Sequence, residues 1–382
     1  MYLLEHDAKE LLSKHQIHVP AGQLICGGDD ASKNLPAGPW IVKGQITAGG
    51  RGKAGIIKKA TTPQEIAEHT KAILGTVVKG RRVDCVRIEQ QVASGSEAYL
   101  GLLLDAAAGG VRVIMAAQGG MEIEALPPDA IRTEVAAPNV DALTACVNKL
   151  AADLPAPFNE ALAQAGTLLA QRFVESEALL IEINPLFVRQ DGSWVAGDAK
   201  YVTDDSALER QEDIRALLDK RATAYPEAAL KLEHGCDYVV VDAEGEIGLL
   251  TTGAGLSMML VDELRAAGLK PYNFLDVRSG GLRGETARLV KVLKWISLGP
   301  NLKVLLINIF AGITELGEFS RLLVSALGEA HELKVPVVAR LVGNGMPAAR
   351  VVLAQAGITL YSDLDEALTE VRRHLSNAGG AT

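Results

Sequence analysis

Cysteine is scarce in this sequence, and the few cysteines are scattered. The four are Cys26, Cys85, Cys146 and Cys236, and no two of them form a C-x-x-C pair. This spacing predicts neither a zinc site nor a disulfide framework. It favours a protein of a reducing compartment, and we expect a cytoplasmic location.

Long apolar runs and an excess of positive charge are also missing. No apolar run approaches the roughly 18 residues that a membrane-spanning helix requires. The opening residues, MYLLEHDAKELLSKH, mix charges with apolar residues at helical spacing, so we expect an amphipathic helix and no cleaved signal peptide. With 38 basic and 47 acidic residues, the net charge of −9 argues against broad nucleic-acid binding. A polyanionic ligand would need a local site of basic side chains or backbone amides.

Enough apolar sequence is present for more than one core. The chain has 382 residues, of which 48% are hydrophobic, and this length predicts two or three domains. Charged helical sequence, including a helix expected over residues 206–225, gives way to apolar strands near residues 220–236. We therefore expect one domain over residues 1–225 and a second over residues 226–382.

The second domain repeats a pattern of strand, glycine turn and helix. Continuous apolar strands that alternate with amphipathic helices predict a doubly wound parallel sheet covered on both faces. Ligands of such sheets bind at the carboxyl ends of the strands, where helix N-termini present free N–H groups. The turns at residues 252–255 and 310–314 are candidates on this ground. The alternative is that their glycines only start tight crossovers.

In the first domain, residues 178–200 are typical of two strands joined by an Asp191-Gly192 turn. Side chains alternate along a strand, so Glu182 and Asn184 share one face. A three-residue loop over residues 190–192, with Gly192 left-handed, would place Asn184 across from Asp198 and Glu182 across from Lys200. A two-residue turn would send Asn184 and Asp198 to opposite faces.

An amide oxygen and a carboxylate that face one point are suitable ligands for Mg²⁺, whose other positions phosphate oxygens and water can fill. Asn184 and Asp198 are therefore candidate metal ligands. The alternative is a hairpin that carries polar residues on its solvated face.

A glycine-rich loop at residues 44–55 separates two short strands. Its glycines allow a ligand close to the backbone, and Lys43, Arg51 and Lys53 add positive charge, which suits phosphates. It is not a P-loop, because Ala54 stands where that motif requires Ser or Thr. Glu89, at the end of the strand expected over residues 83–91, could accept a hydrogen bond from a ribose or an amine. The alternative is a solvated edge residue.

Taken together, these motifs resemble the β subunit of succinyl-CoA synthetase and that of malate–CoA ligase. The resemblance runs almost end to end. Its specific pieces are AGGRGKAG (48–55), EAYLG (97–101), GGMEIE (119–124), EINP (182–185) with Asp198 fourteen positions after Asn184, GAGL (253–256), NFLDV (273–277) and NIFAGI (308–313). It implies an ATP-grasp domain followed by a flavodoxin-like CoA-ligase domain.

The resemblance also implies roles for individual residues. The nucleotide contacts would be Lys43, Gly50, Arg51, Gly52, Glu89, Val92 and Glu97. Asn184 and Asp198 would bind Mg²⁺, and Glu182 would face a phosphohistidine. The acid substrate and the phosphohistidine would lie near Thr252, Gly312, Ile313 and Thr314.

The implied reaction belongs to the tricarboxylic acid cycle. ATP (or GTP) phosphorylates a histidine of an α subunit, the phosphoryl group passes to a carboxylate, and CoA displaces it to give a thioester. None of the seven histidines of this chain lies in a glycine-rich turn after a strand, which agrees with a histidine on the partner. We expect an αβ or (αβ)₂ heteromer.

This sequence departs from the family pattern at a few residues that the resemblance implies lie near the acid substrate. They are Thr252, Arg278 with Ser279, and Glu315. We therefore expect the acid substrate to be succinate or a related short acid such as malate. The alternatives are a catalytically idle nucleotide-binding scaffold and an ATP-grasp carboxylate–amine ligase, although the latter lacks a flavodoxin-like second domain.

Overall fold

The computed structural model describes residues 1–27, 31, 33–79, 81–92, 95–277, 286–312 and 314–379. It divides into two compact units, Met1–Ala224 and Tyr225–Thr382, so the division lies one residue from the expected boundary. No helix within the described ranges combines the length and the apolarity needed to span a bilayer.

Unit 1 contains five α-helices and twelve strands among its described residues. The helices are Glu5–Lys14 (α1), Pro63–Ile73 (α2), Val140–Ala152 (α3), Phe158–Glu175 (α4) and Glu212–Lys220 (α5). The strands are Gly22–Cys26 (β1), Trp40–Gln45 (β2), Ile57–Ala60 (β3), Val77–Val78 (β4), Arg81–Arg82 (β5), Cys85–Gln90 (β6), Ser96–Asp105 (β7), Gly110–Ala116 (β8), Arg132–Ala136 (β9), Ala178–Val188 (β10), Trp194–Ala196 (β11) and Lys200–Thr203 (β12).

The first sheet of unit 1 has the strand order β1-β6-β2-β3, and all its neighbours are antiparallel. Val42, Val86 and Ile88 project from one face into a core with Ile66 of α2. Thr62 begins α2 with a capping box, because its side chain accepts the N–H of Glu65 and the Glu65 carboxylate returns to the N-cap. The glycine-rich loop is thus the connection of the β2–β3 hairpin, as the sequence predicts.

The second sheet of unit 1 has the order β11-β10-β7-β8-β9, with β12 also paired to β10. Helices α3 and α4 pack against each other and against this sheet. Gly166 of α4 allows the close approach, because a Cβ at this position would lie 2.7 Å from Val147 of α3.

The register of the β10 hairpin is the expected one. Glu182 pairs with Lys200, and Val188 pairs with Trp194. Arg189 N donates to Ser193 O across a three-residue loop, and Gly192 has a φ of +80°. The prediction of the longer loop with a left-handed glycine is confirmed.

The sequence prediction of one helix over residues 206–225 is wrong. The structure has short 3-10 turns at Leu208–Arg210 and Ala222–Ala224 on either side of α5. Gln211 separates the first turn from α5 with a ψ of 82°, because its side chain donates to the Glu175 carbonyl and to Glu177, each at 3.1 Å. These tertiary hydrogen bonds override the local helical preference.

A second correction concerns cysteine. Cys26 and Cys85 form a disulfide between β1 and β6, although the sequence spacing suggests no disulfide. They are 59 residues apart in the chain but are direct partners in the antiparallel register. Sequence spacing does not reveal such a pairing, because the fold brings the two strands together.

Unit 2 contains six α-helices and six strands in its described part. The helices are Pro226–His234 (α6), Ala254–Ala266 (α7), Ala287–Ile296 (α8), Leu316–Glu329 (α9), Met346–Gln355 (α10) and Leu364–Gly379 (α11). The strands are Asp237–Val240 (β13), Ile247–Thr251 (β14), Asn273–Asp276 (β15), Val304–Ala311 (β16), Val337–Gly343 (β17) and Leu360–Tyr361 (β18).

The core of unit 2 is a parallel sheet of order β14-β16-β17-β18. Residues of α8, α9 and α10 form an apolar cluster that includes Ile307 and Leu341, and residues of α7 and α11 form another with Leu249 and Leu306. Helices therefore cover both faces, and the prediction of a doubly wound parallel sheet is confirmed.

Two further strands of unit 2, β13 and β15, form a ladder of their own. β13 and β15 pair with each other in antiparallel fashion. Asn273 of β15 approaches β14 with its side chain, whose Oδ1 accepts from Leu249 N at 2.9 Å and whose Nδ2 donates to Leu249 O at 2.8 Å. A side-chain amide replaces ladder hydrogen bonds here, and periodicity does not predict such a replacement.

Candidate functional site

A buried group of charges joins α1, the first sheet and the glycine-rich loop. We call it the ion cluster, and it consists of Glu5, Lys9, Lys43, Arg51, Glu89 and Asp198. Lys43 Nζ lies 2.8 Å from Glu5 Oε1 and 2.6 Å from Glu89 Oε1. Lys9 Nζ lies 2.7 Å from Glu5 Oε1 and 2.7 Å from Glu89 Oε2. Each lysine therefore contacts both carboxylates.

Both lysines also donate to the carbonyl of Gly197, each at 2.8 Å. Gly197 lies between β11 and β12, so the ion cluster reaches the second sheet. Burial alone would lower the pKa of Lys43, but Glu5 and Glu89 raise it above its ordinary value. Lys43 is therefore a fixed positive charge, held in place by three acceptors.

Arg51 connects the glycine-rich loop to the hairpin. Its Nη1 contacts Glu5, and its Nη2 donates to Asp198 Oδ1 at 2.6 Å. Burial alone would raise the pKa of Glu5, but Arg51, Lys43 and Lys9 hold it well below its ordinary value. The loop and the predicted metal ligand thus lie in one site.

The structure excludes one of the two sequence interpretations of Glu89. Glu89 is 1% exposed on β6, an inner strand of the sheet, so the alternative of a solvated edge residue is wrong. Its carboxylate contacts Lys9 and Lys43, and it accepts from Arg87 Nε at 2.7 Å. A contact between Glu89 and a nucleotide stays a prediction.

Asn184 and Asp198 occupy facing positions in a gap of the β-ladder. Pairs on both sides keep one register, and Gly197 N donates to Pro185 O between them. The Asn184 side chain is held by the loop after β8, since its Oδ1 accepts from Gly120 N at 2.7 Å and its Nδ2 donates to Met121 O at 2.8 Å.

The donor chemistry of these two residues fits a hard divalent cation. An amide oxygen has two acceptor positions, so Asn184 Oδ1 can accept the Gly120 N–H and still offer a lone pair. Burial raises the pKa of Asp198, although Arg51 opposes the shift. A cation at this carboxylate would therefore offset the cost of burying its charge. The metal assignment stays a prediction.

A second group of possible metal-binding side chains is paired with arginines. Within the described ranges, His6, Asp7 and Glu10 place three ligand atoms within 4.8 Å of one another. Arg221 forms salt bridges with Asp7 and Glu10, and Arg87 Nη1 lies 2.8 Å from His6 Nδ1. These positive charges make the cluster unsuitable for a metal cation.

Glu182 lies beside the hairpin gap with a defined environment. Tyr99 donates its hydroxyl to Glu182 Oε2 at 3.1 Å, and Lys200 Nζ lies 3.9 Å from the same oxygen. Burial raises the pKa of Glu182, with Lys200 acting in the opposite direction. The group is a partly desolvated carboxylate whose orientation is fixed by a phenol.

The other predicted nucleotide contacts are Glu97, Gly50, Gly52 and Val92. Gly120 has a φ of +73°, and a Cβ there would overlap the Glu97 carboxylate, which places Glu97 beside the loop that holds Asn184. Gly50 also has a positive φ, and Gly52 faces open space. Val92 is half-buried just after β6, and its role stays a prediction.

Sequence reasoning missed Glu5, Lys9 and Gly197. Glu5 and Lys9 lie one turn apart on α1, and both are buried. The available signal was that these charges fall on the helix face that carries Leu12 and Ala8. Gly197 contributes only its backbone carbonyl, and side-chain chemistry gives no signal for such a contact.

In unit 2, Thr252 follows β14 directly. It is 5% exposed, and its Oγ1 has no hydrogen-bond partner among the described residues. On the neighbouring strand, Asn308 accepts from Arg340 at 2.9 Å, while its Nδ2 lacks a described partner. Gly312 faces open space at the end of β16, whereas Ile313, Arg278 and Ser279 lie outside the described residues.

Glu315 is the N-cap of α9 and follows Thr314. Its carboxylate accepts from Glu318 N at 2.6 Å, and a Cβ at Gly345 would overlap it. The Glu318 N–H lowers the pKa of Glu315. This residue therefore occupies helix N–H groups that an anionic ligand would otherwise contact.

Two family matches divide the chain in the same order as the fold. Residues 2–188 match the ATP-grasp domain, and residues 250–373 match the CoA-ligase domain. In ATP citrate lyase from Methanothrix soehngenii, solved with citrate and coenzyme A, a chain aligns with a TM-score of 0.65 at 18% identity over 94% of this chain and 95% of that one. The fold and the matches define the class as a CoA ligase with an ATP-grasp domain.

Curated relatives narrow the class further. Subunit beta of ADP-forming succinate–CoA ligase from Chloroflexus aurantiacus is 38% identical over 376 residues, which cover 96% of this chain and 97% of the relative. The subunit of the same name from Desulfurococcus amylolyticus is 32% identical over 388 residues, with coverage of 99% and 100%. The chain belongs to the family of ADP-forming succinate–CoA ligase β subunits, and ATP and CoA are the substrates that this family implies.

Proposed function

We propose that this chain is the nucleotide-binding β subunit of an ADP-forming acid–CoA ligase and that it phosphorylates a histidine of an α subunit. The observation that carries the proposal is the Arg51 bridge, which ties the glycine-rich loop to Glu5 and to Asp198. Phosphates that bind at this loop would lie next to the predicted metal ligands. The two subunits would form an αβ or (αβ)₂ heteromer.

Asn184 and Asp198 would hold Mg²⁺, which would neutralise phosphate charge and orient the transferred group. Arg51 supplies the positive charge at Asp198 in the described geometry. Once Asp198 holds the cation, the Arg51 guanidinium would be free to turn toward a phosphate. Lys43 is anchored by Glu5, Glu89 and the Gly197 carbonyl, and it would remain a fixed charge beneath the phosphates.

Glu182 would orient the histidine of the α subunit. A carboxylate held by Tyr99 and partly desolvated can accept the N–H of an imidazole and keep the other ring nitrogen directed at the phosphoryl group. The phosphoryl group would then pass to the carboxylate of the acid, and the CoA thiolate would displace it to give the thioester.

The acid would be succinate or a related short diacid such as malate. Glu315 at the N-terminus of α9 adds negative charge in the segment that the family resemblance places near the acid. Thioester formation with ATP, CoA and the α subunit across succinate, malate and other short acids measures this preference. A preference for succinate as strong as that of an ordinary family member would contradict the idea that Glu315 changes which acid is preferred.

Asp198→Ala and Asn184→Ala test the nucleotide and metal roles. We expect each variant to lose phosphorylation of the partner histidine by at least about 100-fold while complex formation persists, because the metal and the phosphates lose a ligand. Asp191→Ala is the matched control, since Asp191 caps the exposed loop of the same hairpin. Phosphorylation that persists in both variants would show that the metal assignment is wrong. A wild-type chain that phosphorylates no partner would favour the alternative of a catalytically idle nucleotide-binding scaffold.

A further inference from the structure

We propose that Cys26 and Cys85 are a reversible redox pair, and that their disulfide closes the part of unit 1 that carries the glycine-rich loop. Cys26 is the last residue of β1 and Cys85 is the first residue of β6.

The backbone places the two side chains together. Gly27 N donates to Asp84 O at 3.2 Å, so the adjacent pair, Cys26 and Cys85, is a non-hydrogen-bonded pair of the antiparallel ladder. Side chains approach most closely at such pairs, and the Cα atoms of this pair are 4.1 Å apart. The sheet itself therefore brings the sulfur atoms into bonding range.

The other two cysteines provide an internal contrast. Cys146 and Cys236 are buried, at 6% and 0% exposed, and they are not bonded to each other. Arg288 Nε donates to Cys236 Sγ at 3.1 Å. Cys26 and Cys85 are partly exposed at the sheet edge, where a small disulfide or thiol can reach them.

The position of the bond gives it a consequence for the candidate site. The cross-link encloses β2, β3 and α2, and with them Lys43 and the loop that contains Arg51. Side chains alternate along β6, so Cys85 shares a face with Arg87 and Glu89. Oxidation would therefore fasten the edge strand to the strand that supports the ion cluster.

The chemistry is thiol–disulfide exchange with a small-molecule disulfide such as oxidised glutathione. The thiolate of one cysteine attacks a glutathione sulfur, which forms a mixed disulfide and releases one glutathione thiolate. The second cysteine thiolate then attacks the protein sulfur of the mixed disulfide and releases the second glutathione. The two cysteines lose two electrons and two protons, and one oxidised glutathione becomes two reduced ones.

The experiment compares the native full-length chain after incubation with oxidised glutathione and with excess reduced glutathione. Peptide mapping after alkylation should find Cys26 linked to Cys85 in the first sample and both cysteines alkylated in the second. The oxidised chain should have a Tm higher by about 5 °C or more, because the bond closes a long loop. Cys85→Ser should remove this difference, whereas Cys146→Ala should retain it.

The wild-type comparison decides the matter even if Cys85→Ser folds poorly. The proposal is overturned if both cysteines of the folded chain remain alkylatable after exposure to oxidised glutathione. It is also overturned if the oxidised and reduced chains unfold at the same temperature, or if reduced glutathione at excess does not reopen the bond.

Discussion

Two buried lysines that share one backbone acceptor are the main feature at the scale of single residues. Lys9 and Lys43 both donate to the Gly197 carbonyl and both contact Glu5 and Glu89. Buried charges are costly unless they are paired, so the positions of all four side chains are mutually dependent. A phosphate that binds Lys43 would therefore meet a lysine whose position is already fixed.

His6 gives a prediction about pH. Burial, and after it the Arg87 guanidinium, lower the pKa of His6 from 6.5 to about 3. The folded state thus keeps His6 neutral. The stability that comes from the neutral imidazole is fully present above the pKa of His6 in the unfolded chain, and it is lost as the pH falls toward the pKa of His6 in the folded chain. Between pH 7 and pH 5 we expect His6 to lower the free energy of unfolding by about 2 kcal/mol.

Urea unfolding of the full chain at several pH values measures this effect. His6→Gln should be less sensitive to pH over the same interval, because glutamine can accept from Arg87 but does not titrate. His69→Gln is the control, since His69 is a half-buried histidine on α2 whose ring contacts the Lys59 carbonyl. Equal pH dependence of His6→Gln and wild type would contradict the prediction.

At the scale of elements, the loop after β8 holds the hairpin ligand. Gly120 and Met121 bind both ends of the Asn184 amide, and Gly120 has no room for a side chain beside Glu97. The Asn184 oxygen is therefore oriented by a backbone that only glycine permits. The geometry of the predicted metal site depends on this loop as well as on the hairpin.

Gly120→Ala tests that dependence. We expect a loss of about 1 kcal/mol in stability from the positive φ, together with a loss of Mg-ATP affinity of about tenfold or more as Glu97 and Asn184 move. Gly109→Ala is the matched control, because Gly109 has a φ of +68° but faces open space. Titration calorimetry with Mg-ATP separates the two variants, and unchanged affinity in Gly120→Ala would exclude the positioning role of the loop.

Glu315 is an element-scale feature of unit 2, because it begins α9. Glu315→Ala should lower the urea midpoint of unfolding, since the Glu318 N–H loses its acceptor. Glu315→Ser should recover most of the stability because serine also caps helices, and it removes the charge. If the charge rather than the cap sets the acid preference, the two variants should show the same altered preference despite their different stabilities. An unchanged midpoint in Glu315→Ala would refute the capping role.

At the scale of the whole molecule, the family membership and the absence of a suitable histidine turn give one further expectation. The purified chain alone should bind Mg-ATP but acquire no acid-labile phosphate from labelled ATP. Addition of the α subunit should produce a phosphohistidine on that partner and not on this chain. Mass spectrometry of both chains after the reaction checks the location, and stable phosphorylation of this chain alone would contradict the division of labour.

Much of the architecture could be predicted from local patterns. The register of the β10 hairpin followed from the Asp191-Gly192 turn and side-chain alternation, and the parallel sheet followed from apolar strands between helices. The helix predicted over residues 206–225 failed because Gln211 makes distant hydrogen bonds. β15 lies beside β14 without a regular ladder, because the Asn273 side chain bonds the backbone of Leu249.

The sequence by itself determined the two-domain order, the hairpin register, the glycine-rich loop and the motifs that mark the family, since these depend on residues close together in the chain. Tertiary structure alone decided that α1 supplies Glu5 and Lys9, that Glu89 is buried, and that Cys26 meets Cys85. The physical reason is that buried charges and sulfur atoms find partners by proximity in space. Lys9 and Gly197, for example, are 188 positions apart in the chain and are joined by a hydrogen bond.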